Sequence, residues 1–166
     1  MVRGGRLAVG VTVMKRRVPI LCVAVAMLVS SASADPLAGQ RVLNVGRSHY
    51  GGGAERRKQE TFVCEAHKQL LHCTIKSERV NGQRFLGTFA AAYDGKTYAA
   101  TGIPDVDHVS LIRIDDHVAD ATFIDFGRPA FGYRAIQSDD GRSLTIVSVD
   151  PTTRTVLNSV VVYDRR

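Results

Sequence analysis

The chain has no apolar run long enough to cross a bilayer as a helix. Its longest, residues 18–29, is 12 residues, against the roughly 20 that a span requires. A basic head (Lys15, Arg16, Arg17) precedes this run and Ala32-Ser33-Ala34 closes it, ahead of Asp35. That is the layout of a secretory signal with a small-x-small cleavage site. Residues 1–34 are therefore expected to be a cleaved leader, with Met14 as an alternative true start. Cys22 lies inside the apolar run, whereas a lipid-modified cysteine would sit at its end.

An excess of one charge is also missing once the leader is set aside. The leader holds five basic and no acidic residues, so of 22 basic residues 17 remain against 16 acidic, a net charge of about +1. A nucleic-acid surface needs a basic footprint in the folded domain. Nucleic-acid binding is excluded on that ground.

Catalytic motifs are absent from the sequence. It contains no G-x-S-x-G elbow, no H-E-x-x-H pair and no dinucleotide fingerprint. Gly51-Gly52-Gly53 followed by Arg56-Arg57-Lys58 lacks the Lys-Ser/Thr that ends a phosphate-binding loop, and residues 46–60 read instead as a solvated loop. Asp115-Asp116 and Asp139-Asp140 are neighbours within turns, where their carboxylates diverge. No catalytic residue and no cofactor is expected.

Cysteine is scarce: beyond the leader only Cys64 and Cys73 remain, in "CEAHKQLLHC". In an oxidising compartment such a pair reads first as a disulfide. The flanking "TFVC" and "LHCTIKSE" are strand-like, so the two residues are expected to face each other across a hairpin. The competing reading, a metal held by Cys64, His67, His72 and Cys73, suffers from spacing: zinc motifs separate two close pairs by a dozen or more residues. Adjacent His72 and Cys73 would also point to opposite faces of a strand. No metal site is assigned there, nor at Asp105, Asp107 and His108, which fit a Gly/Pro-rich turn and no calcium-loop spacing.

What the sequence does contain is strands. In "RFLGTFAAAYDGKTYAA", Phe85, Gly87, Phe89, Ala91 and Tyr93 share one face, and Asp94-Gly95 is a hairpin signal. "HVSLIRIDDH" places Val109, Leu111 and Arg113 together before a turn at Asp115-Asp116. Three more strands follow, turning at Gly127-Arg128-Pro129 and Asp139-Asp140-Gly141, then a last one in "TVLNSVVVYD". With "RVLN" at the start, eight to ten strands are expected in one all-β domain over residues 35–166. They form an antiparallel meander, either a lipocalin-like barrel or, alternatively, a β-sandwich. A domain of this length can bury roughly two thirds of its surface and needs no metal to fold.

Several of these pieces coincide with a known group. Gly39, Leu43-Asn44 and Ser48 come first, then Tyr93-Asp94-Gly95-Lys96 with Tyr98. Thr101-Gly102-x-Pro104, "VSLIRID", Asp140-Gly141-Arg142 with Leu144-Thr145, and Val161-x-Tyr163-Asp164 follow. In these the chain resembles a group of small uncharacterised secreted bacterial β-meander proteins. That resemblance implies the fold and an extracytoplasmic compartment. More distantly it resembles lipocalin and fatty-acid-binding barrels, which hold small apolar ligands. Gly39-Gln40-Arg41 stands where those barrels carry Gly-x-Trp, and the chain has no tryptophan.

The expectation is thus a periplasmic or secreted barrel binding an apolar or anionic amphipathic small molecule. Its lining would include Phe89, Tyr93, Arg113 and Tyr133, with Arg113 as a forked donor to a ligand carboxylate or phosphate. The alternative is a structural envelope or surface interaction protein with a filled core. The oligomeric state stays open.

Overall fold

The structure, a computed structural model, describes Met1, residues 35–51 and residues 54–166. The leader expected up to residue 34, apart from Met1, and also Gly52 and Gly53, lie outside the described residues. Ten strands are found among the described residues: β1 (Gly39–His49), β2 (Arg57–His67), β3 (Leu70–Arg79), β4 (Arg84–Ala91), β5 (Asp94–Thr101), β6 (His108–Arg113), β7 (Val118–Asp125), β8 (Arg128–Gln137), β9 (Ser143–Val149) and β10 (Val156–Arg165). Each pairs antiparallel with the next, and β10 returns to pair with β1. The result is a closed meander barrel rather than a sandwich.

Period-two alternation decides which residues face the lumen. Along β4, Gly87, Phe89 and Ala91 are buried while Leu86 and Thr88 are exposed; along β6, Val109 and Leu111 are fully buried between exposed His108 and Ile112. The outer face is held by charge. Asp120 on β7 and Arg134 on β8 are register partners joined by two hydrogen bonds of 2.8 and 3.0 Å. Glu78 on β3 takes Lys58 and Arg84 from the two flanking strands. Such cross-strand pairs stabilise a solvated face, which is the reverse of a barrel that turns an apolar band to lipid. Among the described residues no helix is long and apolar enough to cross a membrane.

The expected solvated loop over residues 46–60 is shorter than its sequence suggests. Residues 46–49 extend β1, and residues 57–60 open β2, so only residues 50–56 connect the strands. The polarity that pointed to a loop has two causes: outward positions such as Lys58 face solvent, and inward Glu60 is buried by an internal ion pair.

The seam between β1 and β10 contains a bulge between Asn44 and His49. There the Ser48 hydroxyl accepts the Val162 N–H at 3.0 Å and donates to the Asn44 carbonyl at 2.7 Å. A side chain thereby replaces a ladder bond lost where β1 advances from Asn44 to His49 against only Val162 to Val160 on β10. Asp94-Gly95 stands at the centre of the β4–β5 register, in which Thr88 faces Thr101 and Phe89 faces Ala100, while Asp94 also bridges to Ile112 of β6. Gly95, at φ 75°, lies at an irregularity between Asp94 and Thr97 in the β5–β6 pairing. The β7–β8 tip is Phe126-Gly127, at φ 44° and 74°, consistent with the positive-φ pair of a tight primed turn.

One end of the barrel is plugged by the segment before β1. Pro36 and Leu37 are buried there, and the Tyr93 hydroxyl donates to Asp35 at 2.7 Å. Cys64 and Cys73 are register partners on β2 and β3, both pointing inward and bonded, with Cα atoms 4.2 Å apart. His72 is exposed on the opposite face. Closing this ten-residue ring is worth about 2.7 kcal/mol in the chain-entropy account. The Cys64→Ala/Cys73→Ala double variant should lose about that much in urea unfolding against the oxidised wild type. Equal midpoints would show that the strand ladder alone holds the hairpin.

Candidate functional site

The lumen is not filled. A cavity of about 810 Å³ occupies the barrel, from Leu37 at the plugged end to a mouth where five strand connections gather. One of its walls is aromatic. Phe89 of β4 meets Phe123 of β7 edge-on at 6.2 Å, and Phe123 stacks on Phe131 of β8 at 4.9 Å. Tyr133 closes the group, 5.7 Å from Phe123. Offset and edge-on contacts of this kind add to the burial of the rings.

A polar cluster is set into this apolar space. Arg57 of β2 places Nε 3.1 Å from Glu60 Oε2 and donates from Nη2 to the Tyr133 hydroxyl at 3.3 Å. The Tyr163 hydroxyl of β10 donates to Glu60 Oε1. Glu60 and Tyr163 are 6% and 4% exposed, so this carboxylate has left water and depends on the two groups that hold it. The Arg57 guanidinium reaches from β2 to β8, linking strands that are four places apart around the barrel. Tyr50, after β1, also lines the cavity, its buried hydroxyl set against Arg57.

Burial pushes the Tyr163 hydroxyl well above the ordinary tyrosine range; Arg57 pulls against that rise and Glu60 adds to it. Burial pulls Arg57 downward, but Tyr163, Glu60, Tyr133 and Tyr50 outweigh it and hold the guanidinium firmly protonated. The phenol of Tyr50 is likewise raised by burial.

Two glycines shape the mouth. The β5–β6 connection folds back across it, seating Ile103 on Gly87, where a Cβ would collide with the Ile103 side chain. Gly102, at φ 71°, passes so close to the Leu86 carbonyl that no side chain fits. Ile103, Pro104 and Asp105 thereby become part of the cavity rim. Asp107 turns the other way, tied to His108 at 2.9 Å and to the Phe126 N–H at 3.3 Å.

Of the four residues expected to line the cavity, Phe89 and Tyr133 do so. Tyr93 and Arg113 lie on the inward side but at the plugged end, outside the cavity lining. Tyr93 is engaged by Asp35, and Arg113 by the Asp115 carbonyl at 3.1 Å and Asp116 at 3.5 Å. Arg57, Glu60 and Tyr163 escaped the sequence reading because Arg57 and Glu60 were taken as part of a basic loop. The usable signal was the alternation: counting back in twos from Cys64 through Phe62 turns Glu60 inward. No family model, curated protein or solved structure matches the chain.

Tyr163 offers a direct check of the cluster. A phenol raised in the folded state contributes stability that is complete below the unfolded value, about pH 10, and is lost as pH rises above it. Urea midpoints should therefore fall steeply in alkali, and Tyr163→Phe should flatten that fall. The same variant should cost about 1–3 kcal/mol at neutral pH by taking a donor from buried Glu60. An unchanged alkaline slope would mean that Tyr163 does not titrate in this way.

Proposed function

We propose that this protein is an exported β-barrel that binds one apolar or amphipathic small molecule in its lumen. The cavity carries the reading. Pockets of about 300–1,000 Å³ with mostly apolar walls and a few convergent polar groups suit small organic ligands, and this lumen has about 810 Å³, an aromatic wall and one polar cluster. A lumen left open in a barrel of this size forfeits packing contacts that side chains could have made. That weighs against a filled-core interaction protein, whose interior has no reason to carry the loss. The Cys64–Cys73 bond supports an oxidising compartment, in keeping with export to the periplasm or the outside.

Ala121 lies in the cavity wall between its register partners Leu111 and Tyr133. N-phenyl-1-naphthylamine, an apolar fluorophore, should bind the wild type at one site per chain. Ala121→Phe, which puts a ring into the lumen, should weaken that binding by at least about tenfold while the far-ultraviolet circular dichroism stays that of a β-protein. Absence of probe binding to the wild type, or binding indifferent to Ala121→Phe, would sink the proposal.

A further inference from the structure

Resting on the binding-barrel reading, we infer that the polar cluster selects an uncharged ligand head bearing a hydrogen-bond acceptor, such as a ketone, ester or amide carbonyl. A carboxylate head is disfavoured. Charge and donor count at the cluster both point this way.

The guanidinium that reaches into the cavity is already compensated; Arg41, also inward, is buried outside the cavity lining and donates to the Gly141 carbonyl. Arg57 faces Glu60 at 3.1 Å, and the second guanidinium of the lining, Arg79 at the mouth, pairs with Glu55. Asp105 and Asp150 add two further carboxylates to the rim. The lining therefore holds two cations against four anions. An anionic head entering this space would give up its hydration without finding an unpaired cation, and such a loss is not recovered in a low-dielectric site.

The cluster nevertheless retains donors. The Arg57 side chain faces Glu60 through Nε, donates to Tyr133 and lies against Tyr50, and a guanidinium carries five N–H groups, so some remain to give. About 18% of that side chain remains accessible. Tyr133 accepts from Arg57 and still has its own O–H to give, and Tyr50, whose oxygen also faces Arg57, keeps its O–H as well. The acceptor side is already engaged: Glu60 takes Tyr163 on one oxygen and faces Arg57 with the other. Spare donors on a pair whose charges cancel, Arg57 with Glu60, suit a neutral acceptor. A cationic head would meet Arg57 at close range and is disfavoured as well.

Arg113, the donor expected from sequence for an anionic head, lies outside the cavity lining. The charge logic thus rests on Arg57 and Glu60. It also makes a specific demand: removing the Glu60 charge should release Arg57 for a carboxylate.

The test is competition against N-phenyl-1-naphthylamine at neutral pH with three chain-matched amphiphiles: methyl undecyl ketone, laurate and laurylamine. For the wild type the ketone should displace the probe at about tenfold lower concentration than laurate or laurylamine. Glu60→Gln, nearly isosteric, should reverse the order of ketone and laurate. Tyr133→Phe should weaken the ketone severalfold with little effect on the probe. The wild-type ranking decides the matter even if Glu60→Gln does not fold. Probe binding with laurate or laurylamine tightest would overturn the head-group assignment and leave the binding barrel standing. Failure of the probe and of all three amphiphiles to bind would overturn both.

Discussion

The pairing of β1 with β10 is the constraint on which the rest of this structure depends. An open meander of ten strands would expose two edges of unpaired N–H and C=O groups, and closure removes them both. Closure also creates an inside. Only because Leu43 lies opposite Tyr163 across that seam, with Phe62 opposite Arg41 on the other side of β1, do the two ends of the chain line one lumen. The bulge at the seam is bridged by Ser48. A single hydroxyl therefore maintains the ladder where the backbone cannot.

Once the barrel is closed, each strand's alternation becomes an electrostatic partition. Asp120, Arg134, Glu78 and their partners keep to the outer face, where Asp120 and Glu78 are covered by the cations that pair with them. Within the cavity Arg57 and Glu60 are drawn inside and compensate each other, while Arg41 is buried outside the cavity lining and donates to the Gly141 carbonyl. An internal ion pair seldom adds to stability when compared with apolar side chains of similar volume. Its position against an open cavity, held by Tyr163 and aimed across the lumen at Tyr133, accords with the ligand binding proposed for this lumen. The glycines at the mouth follow the same logic. Gly87 and Gly102 give up side-chain packing so that the β5–β6 connection can close down on the rim.

The strands from Phe85 onward were legible because their alternation is clean and their turns carry Gly, Asp and Pro. The hairpin facing of Cys64 and Cys73 was legible for the same reason. Residues 46–60 were misread because polarity was taken as solvation. Polar residues on β1 and β2 face water or each other, and a run of both kinds resembles a loop in composition. Phe89 and Tyr133 were identified as lining from their strand face. Tyr93 and Arg113 share the inward parity, but parity says nothing of height along the barrel axis, and both lie at the plugged end.

By itself the sequence determined the all-β class, the antiparallel order and the inward parity of most strands. These follow from local periodicity and turn chemistry, which act over a few residues. Closure into a barrel, the open lumen and the meeting of Arg57, Glu60, Tyr133 and Tyr163 were decided only by the tertiary structure. Those contacts join residues as far apart as Glu60 and Tyr163. Their formation depends on strand register summed around the whole barrel, a quantity that no short stretch of the chain contains.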